Sequence, residues 1–558
     1  MYKVMDNGFE RLTVRANTTV NLNKDIMMFV DMFVGRDTQR QPETMNKTIL
    51  DYIYLAPPTL VSKYPRKEGQ KPGYDYYGVY FEWMNPLANL ERGTQVESVR
   101  DYVTINARPT WHIIPGLTLK GQVGYRIASG MDKKDRNAYV FLDYFSGNES
   151  GTFGAVKSAT YTTRTSYWMV GATLDWTKEF GDHRINILGG WNEEVDRRNG
   201  WDDVALLSFF GKAYYSYKDK YLAEVGIRRD GSSLFGDGHK WGNFPSVAVG
   251  WNVNREPWMQ NARFIDNFKI RASYGISGNQ GISAYQTLSR YGQHKYFNGG
   301  KWVTAIGPGY QSGTTGQDGI YALWSGIPNK GLKWETTAQV DLGLDMSFFG
   351  NRLNVTFDWY DKRTSDLLRE RNIAPSSGYD KMWVNDGEIR NRGIELTIDG
   401  VAFQNRDWRV GGTFVFSRNR NKVLSLGNAV QTGLKTDLRT GMQYEYYGNQ
   451  SEQFRAYTNI LAVGQPMYVF YGYRTDGIVQ SLAEGLSAGL SGDDAQPGEF
   501  KYVDIYDGDG LETVDENDMC IIGDPNPDWM ASLGIDVSWR RFDFSIFFNG
   551  VFGNDVLN

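Results

Sequence analysis

Alternation sets the strongest limit on the fold of this chain. In Phe268-Lys269-Ile270-Arg271-Ala272-Ser273-Tyr274-Gly275-Ile276, apolar residues take every second place. That period belongs to a strand with one greasy and one polar face, because a helix would scatter the same residues around its axis. Leu353-Asn354-Val355-Thr356-Phe357-Asp358-Trp359 repeats the pattern, as does Ser246-Val247-Ala248-Val249-Gly250-Trp251-Asn252-Val253.

The strands arrive as hairpins. Val340, Leu342, Leu344, Met346 and Phe348 point one way. Phe349-Gly350-Asn351-Arg352 turns the chain, and Leu353, Val355, Phe357 and Trp359 return. Similar turns are expected at Phe180-Gly181-Asp182-His183, Lys218-Asp219-Lys220, Asn23-Lys24-Asp25 and Arg540-Arg541. Between hairpins lie long, polar, aromatic-rich connections, expected at roughly 37–97, 278–334, 363–390 and 418–464.

Composition agrees with one repetitive β architecture. Glycine is high at 63 residues, aromatics reach 15%, and proline is low at 17. Glycine and aromatics spread along a chain suit tight turns and many strands. No run of 18 or more apolar residues encodes a membrane helix. A low average hydropathy does not exclude a membrane barrel, in which only alternate strand residues meet lipid. Short turns on one side and long loops on the other are the asymmetry of an outer-membrane barrel. A soluble propeller or solenoid would show a fixed short repeat, and none is found. The net charge of −5 gives no basic footprint for nucleic acid. The single cysteine, Cys520, excludes an intrachain disulfide.

From residue 214 onward the sequence carries longer motifs. Tyr214-Tyr215-Ser216-Tyr217-Lys218-Asp219-Lys220-Tyr221 leads to Arg229-Asp230-Gly231-Ser232-Ser233-Leu234-Phe235-Gly236, then to Trp241-Gly242-Asn243-Phe244-Pro245-Ser246. Phe268 to Gly275 and Ser277-Gly278-Asn279-Gln280 follow. Next come Asp366-Leu367-Leu368, Asn385-Asp386-Gly387-Glu388-Ile389-Arg390-Asn391-Arg392-Gly393-Ile394-Glu395-Leu396, and Ser417-Arg418-Asn419-Arg420-Asn421-Lys422-Val423. Val463-Gly464-Gln465-Pro466, Phe470-Tyr471-Gly472-Tyr473, Asp476-Gly477-Ile478 and Gly523-Asp524-Pro525-Asn526-Pro527 complete the series. In this order the motifs resemble the barrel of SusC-like TonB-dependent outer-membrane transporters, the RagA/SusC family of Bacteroidetes. The first 200 residues match in style more than in motif.

The resemblance implies an all-β fold: a transmembrane antiparallel β-barrel, of the 22-stranded type in the full protein and incomplete here. Residues 1–558 would be a partial TonB-dependent receptor β-barrel domain of roughly 16–18 strands. The signal sequence, the plug domain and the last barrel strands are expected to lie outside it, with Met1 an internal methionine of a truncated gene. The implied activity is active import of a nutrient, an oligosaccharide or glycan, with a SusD-like surface lipoprotein closing the cavity. TonB-ExbB-ExbD would drive it through the missing N-terminal part. A siderophore, cobalamin or peptide receptor, a passive porin-like barrel and a secreted β-rich glycan binder are the competing readings.

Nothing in the sequence suggests an enzyme. The four histidines (His112, His183, His239, His294) are widely separated, and no Walker loop, G-x-S-x-G or C-x-x-C occurs. Loop aromatics are candidate sugar platforms, since a ring with a polar edge suits a carbohydrate. They are Trp201, Tyr296, Trp302, Tyr444, Tyr446 and Tyr447, with girdle or loop packing as the plainer role. The run Asp504 to Asp518 resembles a calcium loop, with Asp504, Asp507, Asp509, Asp515 and Glu516 as candidate ligands. An acidic Asp-Gly turn is the plainer reading there. Glu224, Arg228, Lys269 and Arg271 are expected on the polar wall.

Overall fold

The structure is a computed structural model. It describes residues 8–43, 53–54, 57–65, 68–79, 85–198, 202–288, 291–308, 327–372, 381–427, 434–448, 457–490, 492–506 and 514–557. Sixteen strands form one sheet in which each strand's neighbours precede and follow it in the chain. They are β1 (Gly8–Asn21), β2 (Ile26–Pro42), β3 (Gln95–Ile114), β4 (Leu117–Arg136), β5 (Val156–Phe180), β6 (His183–Arg198), β7 (Asp202–Tyr217) and β8 (Tyr221–Ser232). Then follow β9 (Trp241–Asn252), β10 (Ile265–Asn279), β11 (Glu335–Phe348), β12 (Leu353–Ser365), β13 (Glu388–Gln404), β14 (Trp408–Ser425), β15 (Trp529–Trp539) and β16 (Phe542–Phe552).

Connections alternate along the chain between the two ends of the sheet, and the second set holds the longest of them, although 199–201 is short and 253–264 is not. One set is 22–25, 115–116, 181–182, 218–220, 253–264, 349–352, 405–407 and 540–541. The other is 43–94, 137–155, 199–201, 233–240, 280–334, 366–387 and 426–528. The short turns are tight for a stated reason. Lys218 and Asp219 both take positive φ (54° and 50°), the type I′ geometry whose twist matches that of the flanking strands. Phe349, Gly350 and Asn351 likewise run at φ 57°, 69° and 59°.

The expected turns at 349–352, 218–220, 23–25 and 540–541 fall between strands as read from the sequence. Two expected connections need correction. Strand β2 continues to Pro42 and β3 begins at Gln95, so the expected 37–97 loop shrinks to 43–94. Strand β14 continues to Ser425, and the expected 418–464 connection is instead 426–528. In both places the ladder outlasts the alternation. Arg418 to Ser425 still pair with β13, through Glu388↔Ser425, although the greasy face has ended.

By contacts the chain divides into two compact units, 1–175 with 190–207 and 176–189 with 208–558. In the first, β1 to β4 pair in strict register: Val14↔Val34, Val34↔Val103 and Val103↔Ile127. Its connections build a small module. Strand Asp75–Val79 lies parallel to Tyr139–Asp143, which pairs with Glu149–Phe153. Helix Pro86–Arg92 packs Ala88 onto the buried Tyr77, Tyr139 and Phe141. Asn85 caps that helix. Its amide accepts from Ala88 N at 2.8 Å and donates to Gly78 O at 2.6 Å and Ser62 O at 2.9 Å.

In the second unit the connection 426–528 has its own five-stranded sheet: Lys435–Thr436, Gln443–Tyr447, Asn459–Ala462, Val469–Gly472 and Cys520–Gly523. Tyr444, Ile460, Ala462, Val469 and Tyr471 form its core. Connection 366–387 is clamped to it. Arg369 pairs with Glu445, Arg371 pairs with Asp386, and both guanidiniums donate to Leu426 O at 2.9 Å.

Candidate functional site

The feature with functional consequences in the second unit is a pair of opposite faces carried by β8 to β16. Register keeps the apolar residues together. Val225 faces Val247, Val247 faces Tyr274, Tyr274 faces Val340. Leu342 faces Trp359 and Leu344 faces Phe357, Phe357 faces Leu396, Leu396 faces Phe416. Phe414 then faces Leu533, and Leu533 faces Phe548. A one-residue slip at any pairing would throw these side chains to the other face. The apolar set is also uncovered: Val225 is 54% exposed, Val249 53%, Leu342 48% and Phe544 60%. In water such a surface, continuous over nine strands, far exceeds the few hundred Å² that soluble monomers leave open.

Aromatic rings line the short-turn ends of these strands. Phe264 stacks on Phe348 at 6.4 Å and Trp408 on Trp539 at 5.5 Å, and at the β5–β6 turn Phe180 stacks on His183 at 5.2 Å. From Trp408 to Phe416, or Trp539 to Trp529, the greasy stripe covers eight to ten residue steps. At about 3.4 Å per residue and a tilt of about 40°, its height is about 20–26 Å. Past it the same face turns ionic, where Asp361 accepts from Arg390 Nε at 2.8 Å and from Arg392 Nε at 2.9 Å.

The opposite face is polar across β10 to β12, whereas on β14 to β16 it also carries Val415, Met530, Phe547 and Val551. Arg271 holds Asp345 through two bonds (2.7 and 3.0 Å) and reaches Asp358 at 3.0 Å. Gly343 makes room for this. A Cβ there would sit 2.5 Å from Asp358 Oδ1 and 2.6 Å from the Arg271 guanidinium carbon. Lys212 pairs with Glu224 at 3.1 Å, and Arg228 bonds Asp230 and the buried Ser208 hydroxyl. Arg228, Glu224 and Arg271 thus lie in charge-balanced pairs along the wall, and Lys269 shares their face opposite Asp345.

The candidate sugar platforms separate. Trp201 lies outside the described residues. Tyr296 and Trp302 lie on the hairpin Tyr291–Asn298/Lys301–Pro308, with their side chains outside the described set. Tyr444 is 5% exposed and packs at 4.9 Å on Tyr471, so its ring belongs to the module's core. Tyr446 is half-buried and stacks on Tyr457 at 5.2 Å. Tyr447, on the other side of the strand, is 46% exposed and leans on Tyr468 at 4.5 Å. The spacing already held the signal, because a period of two puts Tyr444 and Tyr446 on one face and Tyr447 on the other.

Of the candidate calcium ligands, Asp507 and Asp509 lie outside the described residues. Asp515 caps the turn Glu516–Asp518, accepting from Asn517 N at 2.7 Å, and Glu516 pairs with Lys435 at 3.1 Å. Asp518, 2% exposed, accepts from the backbone N–H groups of Ile505 (2.8 Å), Tyr506 (3.0 Å) and Asp515 (2.8 Å). Burial pushes its carboxyl up, but these donors outweigh burial and hold it below the usual carboxylate range. Among the described residues no group of three or more His, Cys, Asp or Glu is placed to hold a metal ion. Asp504 hydrogen-bonds Asp518, and Asp515, Glu516 and Asp518 are engaged by the backbone, by Asn517 and by Lys435, while Asp507 and Asp509 lie outside the described residues. Sequence reasoning missed Asp518, whose backbone-gathering role has no spacing signature.

Comparison with known proteins fits this geometry. Residues 37–556 match the family model described as TonB dependent receptor-like, beta-barrel. The TonB-dependent receptor P3 of Formosa agariphila is 29% identical over 600 residues, covering 100% of this chain and 55% of that protein. The TonB-dependent receptor SusC of Bacteroides thetaiotaomicron is 25% identical over 506 residues, covering 85% of this chain and 45% of SusC. Among solved structures, the RagAB peptide importer in its closed-closed state superposes with a TM-score of 0.70 at 18% identity, over 98% of this chain and 58% of that one. The chain spans about half the length of the curated relatives it matches. An uncovered greasy face, a charge-paired polar face and alternating connections are the parts of a barrel wall, and the chain belongs to the TonB-dependent receptor-like β-barrel family.

Proposed function

We propose that this chain is wall and loops of an outer-membrane, TonB-dependent importer of the SusC kind, which takes up an oligosaccharide together with a SusD-like surface lipoprotein. The observation that carries the reading is the in-register apolar face of β8 to β16, about as tall as a bilayer's hydrocarbon core and bordered by aromatics. Backbone groups satisfied along the ladder and greasy side chains outside are what lipid demands of a spanning sheet. On the other side, Arg271, Asp345 and Asp358 suit a water-filled lumen or a polar plug supplied by the rest of the longer protein. TonB-ExbB-ExbD would act through that same remainder. The glycan assignment is supported by the order of SusC-like motifs and by loop aromatics such as Tyr447.

The test is uptake of labelled oligosaccharides by cells carrying or lacking the full-length gene, with and without a protonophore. Energised import predicts uptake that needs the gene and is lost when the proton gradient collapses. Gene-dependent uptake that survives the protonophore would instead make this a passive porin. Uptake of labelled peptides but of no glycan would move the substrate class.

A further inference from the structure

Within the connection 426–528 lies a cavity of about 1130 Å³, large for a small-molecule site. Its lining includes two arginines 35 positions apart, Arg439 and Arg474, with Asp437, Tyr473, Gln465 and Cys520. The charge does not cancel. Asp437 is nearly buried, and its Oδ1 is taken by the backbone N–H groups of Arg439 and Thr440, both at 2.9 Å. Only its Oδ2 approaches the Arg439 guanidinium, at 3.9 Å. Arg474 is exposed, and among the described residues no carboxylate forms an ion pair with it. Among the charged side chains that line the cavity, two guanidiniums stand against one committed carboxylate, with hydroxyl, amide and ring groups at hand, while Asp515, Glu516 and Asp518 act on Tyr473 from outside the lining.

We propose that this cavity binds the oxyanion-bearing end of an acidic sugar, a carboxylate or a sulfate ester, with Arg439 and Arg474 gripping the anion. The guanidinium fork matches a carboxylate or sulfate edge and keeps its charge at any working pH. The Tyr473 ring and the Gln465 amide offer the mixed apolar and hydrogen-bonding surface that a pyranose presents in return. This rests on the import reading above and narrows its substrate class. Burial pushes the Cys520 thiol up, while Arg439 and Arg474 pull it down, so both guanidiniums act on this one sulfur.

Cys520 makes the proposal measurable. In the purified full-length protein, its alkylation by anionic iodoacetate is compared with alkylation by neutral iodoacetamide, read on the Cys520 peptide by mass spectrometry. The iodoacetate-to-iodoacetamide rate ratio should fall several-fold in R439Q and R474Q and persist in R474K, which keeps the charge. Oligouronates or sulfated oligosaccharides should protect Cys520, each tested separately to tell the two anions apart, while a neutral oligosaccharide of equal length should not. An unchanged ratio in both glutamine variants overturns the proposal, as does equal protection by neutral sugar. Protection by acidic peptides but by no acidic sugar overturns the sugar assignment. Gene-dependent uptake of acidic sugar with Cys520 unprotected sinks the cavity while the import reading stands.

Discussion

Replacing Leu342 with arginine separates a membrane wall from a soluble sheet by the sign of the effect. Leu342 is 48% exposed, registered between Ala272 and Trp359. In a soluble protein an arginine at so exposed a strand position would change stability by about half a kcal/mol or less. Leu342 lies six residues from Phe348, which sits among the aromatics of the short-turn end. At about 3.4 Å per residue and a tilt of about 40°, that is about 16 Å into a stripe about 20–26 Å tall. Arginine on the lipid face costs about 2–4 kcal/mol near the midplane and about 0–1 near an interface. Leu342 thus stands a few ångström past the middle of the stripe, so at about 1–3 kcal/mol, with about 1.4 kcal/mol per tenfold, L342R should lower the folding equilibrium by roughly fivefold to 140-fold. F348R should lower it fivefold or less by the same scale, and Thr356→Arg, on the polar face opposite Asp345, should be tolerated. The assay is a urea titration of the full-length protein folded into phospholipid vesicles, read by heat-modifiable electrophoretic mobility. An L342R protein as stable as wild type, or equal losses in L342R and F348R, would refute the claim that this face meets lipid.

Other consequences follow from single contacts. Asn85→Ala removes a helix cap and strands two carbonyls that its amide now serves. At about 1 kcal/mol for the cap and about 1 for each lost bond, the local cost is about 3 kcal/mol. Hydrogen exchange of helix Pro86–Arg92 should accelerate accordingly, and unchanged protection would contradict it. Asp518 has a depressed carboxyl, so its contribution is present above the ordinary carboxylate range and fades as pH falls through the lower folded-state value. Proteolytic resistance of the 504–518 loop should therefore drop in strong acid, and in D518N it should be weaker and flat across that window. A Gly343→Val side chain would displace the Arg271 guanidinium from Asp345 and Asp358, giving a larger loss of stability than Gly275→Val, where a Cβ would meet nothing nearer than 3.6 Å. Comparable unfolding midpoints for the two variants would contradict the packing argument.

Much of the wall was legible because lipid and lumen impose a period of two. Val340 to Phe348 and Leu353 to Trp359 read as a hairpin before any coordinate, and the turn at 349–352 fell where glycine and asparagine allow positive φ. What the sequence concealed lies beyond the apolar stripe. There the ladder continues with amide bonds from Asn419 and Asn421 to Asn391, so β14 runs on through Arg418 to Ser425 with no alternating greasy face to betray it. The module in 426–528 was hidden for a different reason. Its core joins Tyr444, Ile460, Val469 and Tyr471 from several short strands, none long enough to show a period. The pairing of Arg439 with Arg474 in one cavity is a product of that tertiary fold and has no local signature.

The two kinds of ionic contact divide the labour between wall and loops. On the polar face, Arg271 with Asp345 and Asp358 and Lys212 with Glu224 are partly exposed, so each contact adds little to stability. In the loops, Arg371 is 6% exposed and bound to Asp386 and the Leu426 carbonyl. Breaking one partner there leaves a buried charge, which costs about 3–5 kcal/mol where an exposed pair costs about 1 or less. Connection 366–387 is therefore held to 426–528 by Arg371 at the Leu426 carbonyl and by the Arg369–Glu445 pair, and loss of Asp386, itself in 366–387, would leave the Arg371 charge unpaired at that junction. Asp386→Asn should accordingly loosen the module, seen as faster exchange in Gln443–Tyr447, and leave the β11–β12 ladder protected; loss of protection in both would mean that loop and wall fold as one.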